Sequence, residues 1–338
     1  MNETENGIKK ETPEDKRIKL DQIIKLLFNV SHTTLVNTLN GLFNENFNPD
    51  DVNVKINKTS TEFVPDNLDI IRADSFFKLE ANGKPYHYHI EYQLNSNDIT
   101  IRVFEYAIQK ALENRRVERS GKKKKRLYIP RSLVIHFEKS KSIPDKYELE
   151  IEFPDGYVHE YTIDVMKYWE YTEDKLINKK LYNLLPLQIF LLRAELDKVM
   201  KANDKQAQET AITGAKETIN KIFTIINKLL DEEKINSEDY DKIISGLTEI
   251  MNHLDDKYNL ELGGEIEMIK TVADKNILKR ATKAEKAQEQ AEQKLQQERI
   301  EIAKNFIDIL SVEVIAERTK LSVEKVKTLK EEYLKTKK

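Results

Sequence analysis

The sequence predicts an α/β chain, with a mixed β-sheet in the first half and an all-helical extension in the second. In the first half, runs rich in β-branched and aromatic residues alternate with helical patterns in the order α-β-β-β-α-β, followed by further strands. Beyond residue 200 only amphipathic helical patterns recur. We therefore expect a disordered leader 1–15, an α/β domain 16–200, a helical arm 201–310 and a small tail 311–338.

Strands and turns of the first half follow from alternation and from turn residues. Asn82-Gly83 and Pro154-Asp155-Gly156 each predict the tight turn of a hairpin, because these residues accept turn geometry at low cost. Alternating or β-rich runs predict the strands, at 52–56, 69–79, 86–93, 127–137, 147–153 and 157–169.

Helices are expected wherever apolar residues recur at helical spacing. The first covers 16–46, with either a second helix or a continuation after Ser31. The helix expected over 97–118 has an apolar stripe, formed by Ile101, Phe104, Ile108 and Leu112. A third, over 175–201, contains Pro186 and should kink or break there.

The second half is expected to hold helices over 205–230, 237–256 and 264–310. The last contains a stretch rich in Ala, Glu, Gln and Lys, which are strong helix formers. Its apolar residues are too sparse for a sustained coiled-coil seam, so a bundle arm or a solvated helix is expected.

Composition limits the classes of protein that this chain can belong to. The 338 residues carry a net charge of -3, so any basic binding surface must be local. There is no cysteine, which excludes disulfides and thiolate metal sites and fits a reducing cytoplasm. The N-terminal stretch is polar, and no run of about 18 apolar residues occurs. We expect a cytoplasmic protein without membrane contact.

Two adjacent strands carry the residues with the clearest chemistry. Alternation places His87, His89, Glu91 and Gln93 on one side of their strand, and the tyrosines and Ile90 between them on the side of a core. A hairpin with the preceding strand would bring Asp74 close to Glu91. Paired carboxylates repel unless a cation lies between them, and such hard oxygen ligands suit Mg²⁺ or Mn²⁺.

An Asp on one strand, followed by Glu-x-Gln near the end of the next within this element order, resembles the PD-(D/E)xK nuclease superfamily. More narrowly, nearly the whole chain resembles the recombination-promoting nuclease (Rpn) family of transposase-like proteins. The resemblance is carried by Asp74, the HIEYQ segment 89–93, the following helix with Arg102 and Tyr106, the Leu-Leu-Pro-Leu at 184–187, and the tail from Ile309.

The resemblance implies a restriction-endonuclease-like core and a metal-dependent DNA endonuclease of the recombination-promoting type. Asp74 and Glu91 would bind Mg²⁺, with Mn²⁺ as an alternative, and the backbone carbonyl of Tyr92 would be a further ligand. Gln93 stands where the wider superfamily has a lysine, and it supplies no charge. That leaves open whether another cation, Lys78 or Arg102, takes the role of the lysine. Asp66 and Asp69 are nearby alternatives to Asp74, which the spacing to Glu91 favours.

Three alternatives to this site remain open. Asp74 and Glu91 could be solvated residues on a half-exposed sheet. His87, His89 and Glu91 share a face and could form a metal triad that favours Zn²⁺ or Mn²⁺. The chain could also be a catalytically silent DNA-binding or scaffold protein of the same fold.

DNA is the expected partner, and the sequence offers two regions that could contact it. The first is a basic run that would bind phosphates in a salt-dependent way, together with Arg102 on the helix before it; its members are Arg115, Arg116, Arg119, Lys122, Lys123, Lys124, Lys125 and Arg126. The second is the tail 312–330, whose residue spacing is typical of a helix-turn-helix in which Ser322 caps the second helix. A helical hairpin that packs on itself is the alternative for this tail. The helical extension is also where a homodimer could form.

Overall fold

The sheet and helices described below come from a computed structural model, which describes residues 22–59, 62–63, 71–72, 75–94, 97–114, 116–118, 124–202 and 204–336. A six-stranded mixed sheet and a large helical part confirm the predicted combination of a mixed β-sheet with a helical extension. The chain forms two units, one up to Thr271 and one from Val272 onwards. That boundary differs in position from the one predicted near residue 200, and the predicted leader lies outside the described residues.

The strands of the six-stranded sheet fall close to the predicted runs, whereas the short strands at 62–63, 116–118 and 124–126 lie where no strand was predicted. In chain order the strands are β1 (Lys55–Thr59), β2 (Glu62–Phe63), β3 (Ile71–Arg72), β4 (Ser75–Ala81), β5 (Lys84–Gln93), β6 (Arg116–Glu118), β7 (Lys124–Arg126), β8 (Arg131–His136), β9 (Lys146–Glu152) and β10 (Val158–Lys167). The first strand was predicted at 52–56 and begins later. The reason is that the Asp51 carboxylate accepts the Asn53 amide at 2.8 Å, and the Asp51 carbonyl accepts the Val54 amide, so a turn occupies these residues.

The main sheet has the strand order β1-β4-β5-β8-β10-β9. Strands β1, β4 and β5 are antiparallel neighbours, β5, β8 and β10 run parallel, and β9 is antiparallel to β10. Two short ribbons, β2 with β3 and β6 with β7, are antiparallel pairs outside this sheet. Strand β5 therefore lies inside the sheet, between an antiparallel and a parallel neighbour.

Both predicted hairpin turns are confirmed. Asn82 and Gly83 have positive φ of 52° and 71°, as a two-residue turn of the primed type requires, and Ala81 pairs with Lys84 across it. In the second turn Gly156 has a φ of 81°, and its amide donates to the Phe153 carbonyl at 2.8 Å. These turns set the registers of β4 with β5 and of β9 with β10.

The helices account for most of the chain after residue 170. They are α1 (22–27 of the described residues), α2 (His32–Phe43), α3 (Thr100–Glu113), α4 (Glu173–Asn178), α5 (Leu187–Phe190), α6 (Arg193–Ala202), α7 (Lys205–Asp231), α8 (Ser237–Tyr258), α9 (Gly263–Phe306), α10 (Val312–Thr319) and α11 (Val323–Thr336). Short 3₁₀ turns occupy Tyr168–Glu170 and Tyr182–Leu184. Of the two alternatives left open after Ser31, the second helix is correct, because Ser31 caps the start of α2. The apolar stretch 175–201 is interrupted around Pro186, as predicted.

Helix α3 departs from its prediction in length and in orientation. It ends at Glu113, and residues 116–118 form a strand rather than its last turn. Ile101 and Leu112, predicted to lie on the apolar stripe, are 58 % and 41 % exposed, whereas Val103, Ala107 and Ala111 are fully buried. Small side chains at that spacing let the helix approach the sheet closely, while Ile101 and Leu112 lie on the partly exposed side of the helix.

In the first unit, α8 is joined to the N-terminal helices by a buried carboxylate. Asp239 accepts hydrogen bonds from the Ser31 amide, the Ser31 hydroxyl and the Thr34 hydroxyl at 2.5, 2.5 and 2.6 Å. Leu27 of α1 lies against Gly246 of α8. Part of the predicted arm, residues 201–271, therefore belongs to the unit that contains the sheet.

The second unit has a small core of its own between the end of α9, α10 and α11. Lys320 ends α10 with a φ of 57°, and the Ser322 hydroxyl accepts the Lys325 amide at 3.2 Å, so the predicted cap is confirmed. The core residues are Ala303, Ile307, Ile315, Ala316, Leu321, Val326 and Leu329. Across the described residues, no helix is both long enough and apolar enough to cross a membrane.

Candidate functional site

Glu91, predicted as a metal ligand, lies in the interior of the first unit. It is 1 % exposed, so the interpretation of this carboxylate as a solvated surface group is wrong. Its Oε1 is 3.1 Å from His89 Nε2, and its Oε2 is 3.7 Å from Arg102 Nη2 on α3. A buried carboxylate needs partners of this kind because burial otherwise disfavours its charge.

His89 extends this contact into a chain of buried polar groups. Its Nδ1 is 3.3 Å from the Ser132 hydroxyl on β8, and that hydroxyl is 3.0 Å from the hydroxyl of Tyr161 on β10. An ionised Glu91 can only accept, and that form requires the proton on His89 Nε2, which leaves Nδ1 to accept from Ser132. Burial raises the pKa of Tyr161, and the hydrogen bond with Ser132 offsets part of that rise. The chain of contacts therefore spans three neighbouring strands, from Glu91 to Tyr161.

The His89 ring is fixed by aromatic contacts on its faces and edge. Phe76 of β4 stacks on it with ring centroids 4.3 Å apart and an angle of 13° between the planes. Tyr106 of α3 meets it edge-on at 6.0 Å. The ring thus has little freedom to turn, which holds its nitrogens toward Glu91 and Ser132.

Helix α3 presents three polar residues toward this part of the sheet, four positions apart. Arg102 faces Glu91, Tyr106 faces His89, and the Lys110 ammonium lies 5.3 Å above the Phe76 ring while bonding Glu113 at 2.8 Å. At the start of the helix, hydrogen bonds from the side chain and backbone of Thr100 lower the pKa of Asp98. The contacts of Lys110 were missed from sequence, although the i, i+4, i+8 spacing after Arg102 would have indicated them.

Gln93 and Tyr92, the other residues of the predicted motif that the structure describes, lie on opposite faces of β5. Gln93 is buried at 7 % exposure, and it pairs across strands with His136 of β8. His136 in turn lies 3.0 Å from the Tyr147 hydroxyl, a contact that the sequence did not predict. The Tyr92 ring packs against Phe28, on the core side. The role predicted for the Tyr92 carbonyl stays a prediction.

Asp74, the second predicted metal ligand, lies outside the described residues, as do Asp66 and Asp69. The described part of β4 begins at Ser75, which pairs with Ile90, the neighbour of Glu91. Phe76 stacks on His89, so these two residues share the face that alternation predicts. The convergence of the Asp74 and Glu91 carboxylates stays a prediction.

The alternative histidine triad is not assembled. Among the described residues, which include His87, His89 and Glu91, no three His, Cys, Asp or Glu side chains lie close enough to hold a metal ion together. The His87 ring instead lies 5.3 Å from that of Tyr128. Of the two cations considered beside Gln93, Arg102 reaches Glu91, whereas Lys78 is paired with Glu80 at 2.6 Å.

The predicted basic run coincides in part with the β6–β7 ribbon. Arg116 pairs with Arg126, and Glu118 with Lys124, so the region is an antiparallel pair of strands there rather than only a loop. Arg126 is exposed. Arg115, Arg119, Lys122 and Lys123 lie outside the described residues. Phosphate binding by this region stays a prediction.

Comparisons with known proteins add no family assignment. The chain matches no protein-family model, no curated protein and no solved structure. The resemblance to the recombination-promoting nucleases therefore depends on the residues named in the sequence.

Proposed function

We propose that this chain is a Mg²⁺-dependent DNA endonuclease of the PD-(D/E)xK type. The observation that carries the proposal is the Glu91 carboxylate, held inside the sheet between His89 of its own strand and Arg102 of α3. Perturbed or tightly paired buried carboxylates are concentrated at functional sites, although structural networks also contain them. Consistent with the proposal, α2, β1, β4, β5, α3 and β8 follow the α-β-β-β-α-β order, with three antiparallel strands and then a parallel one.

In this proposal each residue of the site has a separate role. Asp74, Glu91 and the Tyr92 carbonyl would bind Mg²⁺, which when bound stabilises negative charge on a phosphate and makes a nearby water more acidic. Gln93 would orient the attacking water through its amide. Arg102 would supply the positive charge that Gln93 lacks, since its guanidinium is 3.7 Å from Glu91.

Of the oxygen donors named for Mg²⁺, the described residues include Glu91 and Tyr92. The Glu91 carboxylate is of the right chemical type for a hard cation. His89 and Arg102 lie 3.1 and 3.7 Å from it, and a carboxylate binds metal in its ionised form. The second carboxylate, from Asp74, is the part of the proposal that stands on the sequence alone.

One observation favours the alternative, a catalytically silent DNA-binding or scaffold protein. Glu91 is almost completely buried and already engaged by two basic side chains, as a carboxylate with a purely structural role would be. In that case the basic run around the β6–β7 ribbon would bind DNA without cleaving it.

Nicking of supercoiled plasmid DNA in the presence of Mg²⁺ separates the two functions. We expect the wild type to nick, and Glu91→Gln and Asp74→Asn to lose at least about 100-fold in rate, because each keeps the shape of the side chain while removing a charged ligand. Glu148→Gln is the matched control, since Glu148 is exposed on β9. It should retain full activity.

The same samples are tested for DNA binding by gel shift without Mg²⁺. Absence of nicking in the wild type, or equal nicking by wild type and both site variants, would refute the endonuclease proposal. Binding by all four proteins without cleavage would establish the silent DNA-binding alternative.

A further inference from the structure

The second half of α9 carries a row of large apolar side chains that are partly exposed in the part of the chain that the structure describes. Leu295, Ile302 and Phe306 follow one another at intervals of seven and four residues, which places them on one face of the helix. They are 48 %, 49 % and 43 % exposed. Neighbouring Ala303 and Ile307 belong to the buried core of the second unit, so this row lies beside that core and not within it.

The same face of the preceding turns is lined by small side chains. Ala291 lies four residues before Leu295, Ala284 one heptad before Ala291, and Ala281 two heptads before Leu295; all three are exposed. On this face the helix therefore has one half with large apolar residues and one half with small ones, and the exposed Leu278 lies about 100° away from it around the helix. Facing positions pack best when large side chains meet small ones.

The charges of the helix are divided along the same line. Residues 278–286 contain four basic residues and one acidic residue, a net charge of +3. Residues 287–306 contain four acidic and three basic residues, a net charge of -1. Two copies in antiparallel orientation bring each basic half beside an acidic half, whereas a parallel pair would align like charges.

We propose that residues 278–306 of α9 form an antiparallel, two-fold symmetric helix pair with a second copy of this chain. Such a contact is isologous, because the same surface serves both copies. The partner is a second copy because the two halves of one helix complement each other in both size and charge. This proposal does not depend on the endonuclease function.

The oligomeric state of the full-length protein tests the contact directly. Size-exclusion chromatography with light scattering should give about twice the chain mass of 39.6 kDa for the wild type. Ile302→Glu should raise the dimer dissociation constant by at least about tenfold, because it places a charge inside the apolar row. Gln297→Glu is the control, since it introduces the same charge at an exposed position on another face. Circular dichroism confirms that both variants stay folded.

The orientation can be tested because the chain has no cysteine, so an introduced one is the only thiol. With a spin label at Lys279→Cys, an antiparallel pair separates the two labels by about 40 Å, from 1.5 Å of rise per residue. A label at Gln293→Cys, one residue from the middle of the pair, should give a clearly shorter distance than Lys279→Cys, because only about 3 Å of axial rise separates its two copies. A monomeric wild type at 100 micromolar, a dimer unaffected by Ile302→Glu, or a short Lys279→Cys distance would each overturn the proposal.

Discussion

Replacing His89 by Phe tests whether the buried polar chain stabilises the first unit. Phenylalanine keeps an aromatic ring of similar shape against Phe76, so the stacking contact at 4.3 Å is preserved. Both ring nitrogens are removed. Glu91 then loses the donor at 3.1 Å, and Ser132 loses the contact at 3.3 Å while keeping Tyr161.

The expected loss follows from the partners that remain. The side chains of His89 and Glu91 are 0 % and 2 % exposed, so water does not replace the lost hydrogen bond. A hydrogen bond to a charged group contributes about 1.5–3 kcal/mol, and a long neutral one about 0.5–1 kcal/mol. Removing one member of a fully buried pair costs about 3–5 kcal/mol, but Arg102 still lies 3.7 Å from Glu91. We therefore expect the free energy of unfolding to fall by about 2–4 kcal/mol.

Urea unfolding measures this difference. The chain has a single tryptophan, Trp169, in the 3₁₀ turn directly after β10, so its fluorescence reports on the unit that contains the sheet. With a slope of about 2–3 kcal/mol per molar urea, the midpoint should fall by about 1 M. His89→Gln should recover part of the loss, because its amide can donate from nearly the position of Nε2.

A double variant provides the decisive comparison. Glu91→Gln removes the carboxylate that His89 contacts. The loss in free energy of unfolding for the double variant His89→Phe/Glu91→Gln should therefore be smaller than the sum of the two single losses, by about 1–2 kcal/mol. Strict additivity would refute this reasoning, as would a change of less than about 0.5 kcal/mol for His89→Phe alone.

Two further predictions concern stability. Gly41→Ala should destabilise the chain by about 1–3 kcal/mol, because its new Cβ would lie 2.3 Å from the Lys179 carbonyl oxygen. Gly214→Ala, also on a helix but without a neighbour within 4 Å, should instead stabilise the chain by up to about 1 kcal/mol. If thermal unfolding shows the same sign for both variants, the predicted clash at Gly41 is wrong. Burial raises the pKa of Tyr168, so its neutral form contributes stability that is complete below the unfolded pKa of about 10 and is lost as pH rises beyond it. In an alkaline titration followed by tyrosinate absorbance, Tyr168 should ionise only as the protein unfolds. This part of the absorbance change should be absent in Tyr168→Phe and present in Tyr157→Phe, which replaces an exposed tyrosine. Ionisation of Tyr168 in the folded protein would contradict the prediction.

How far the sequence reaches is clearest on β5. Alternation correctly grouped His87, His89, Glu91 and Gln93, and the Asn82-Gly83 turn fixed the pairing with β4. Those inferences succeed because side-chain direction and turn geometry depend on neighbouring residues alone. The burial of the same four residues was not predicted, and for His89 and Glu91 it involves Tyr106 and Arg102 of α3, a helix whose position the alternation along β5 does not predict.

Helix α3 shows the limit from the other side. The helical periodicity was predicted correctly, but the buried face was not. The sequence pointed to the more hydrophobic stripe with Ile101 and Leu112, whereas the face with the smaller Val103, Ala107 and Ala111 is buried. Ser132 and Tyr161 could not be linked to Glu91 from sequence either, because 41 and 70 positions separate them from it along the chain. Only the parallel pairing of β5, β8 and β10 brings the three together.

By itself, the sequence determined most of the elements, both hairpin turns and the residues that share each face of β5, because these follow from local periods of 2 and 3.6 residues. The tertiary structure decided which faces are buried, which partners Glu91 has and which apolar side chains of the described helices are exposed. The physical reason is that burial and ion pairing depend on surfaces distant in sequence, whose contact is fixed by strand register and by the size of the side chains between them.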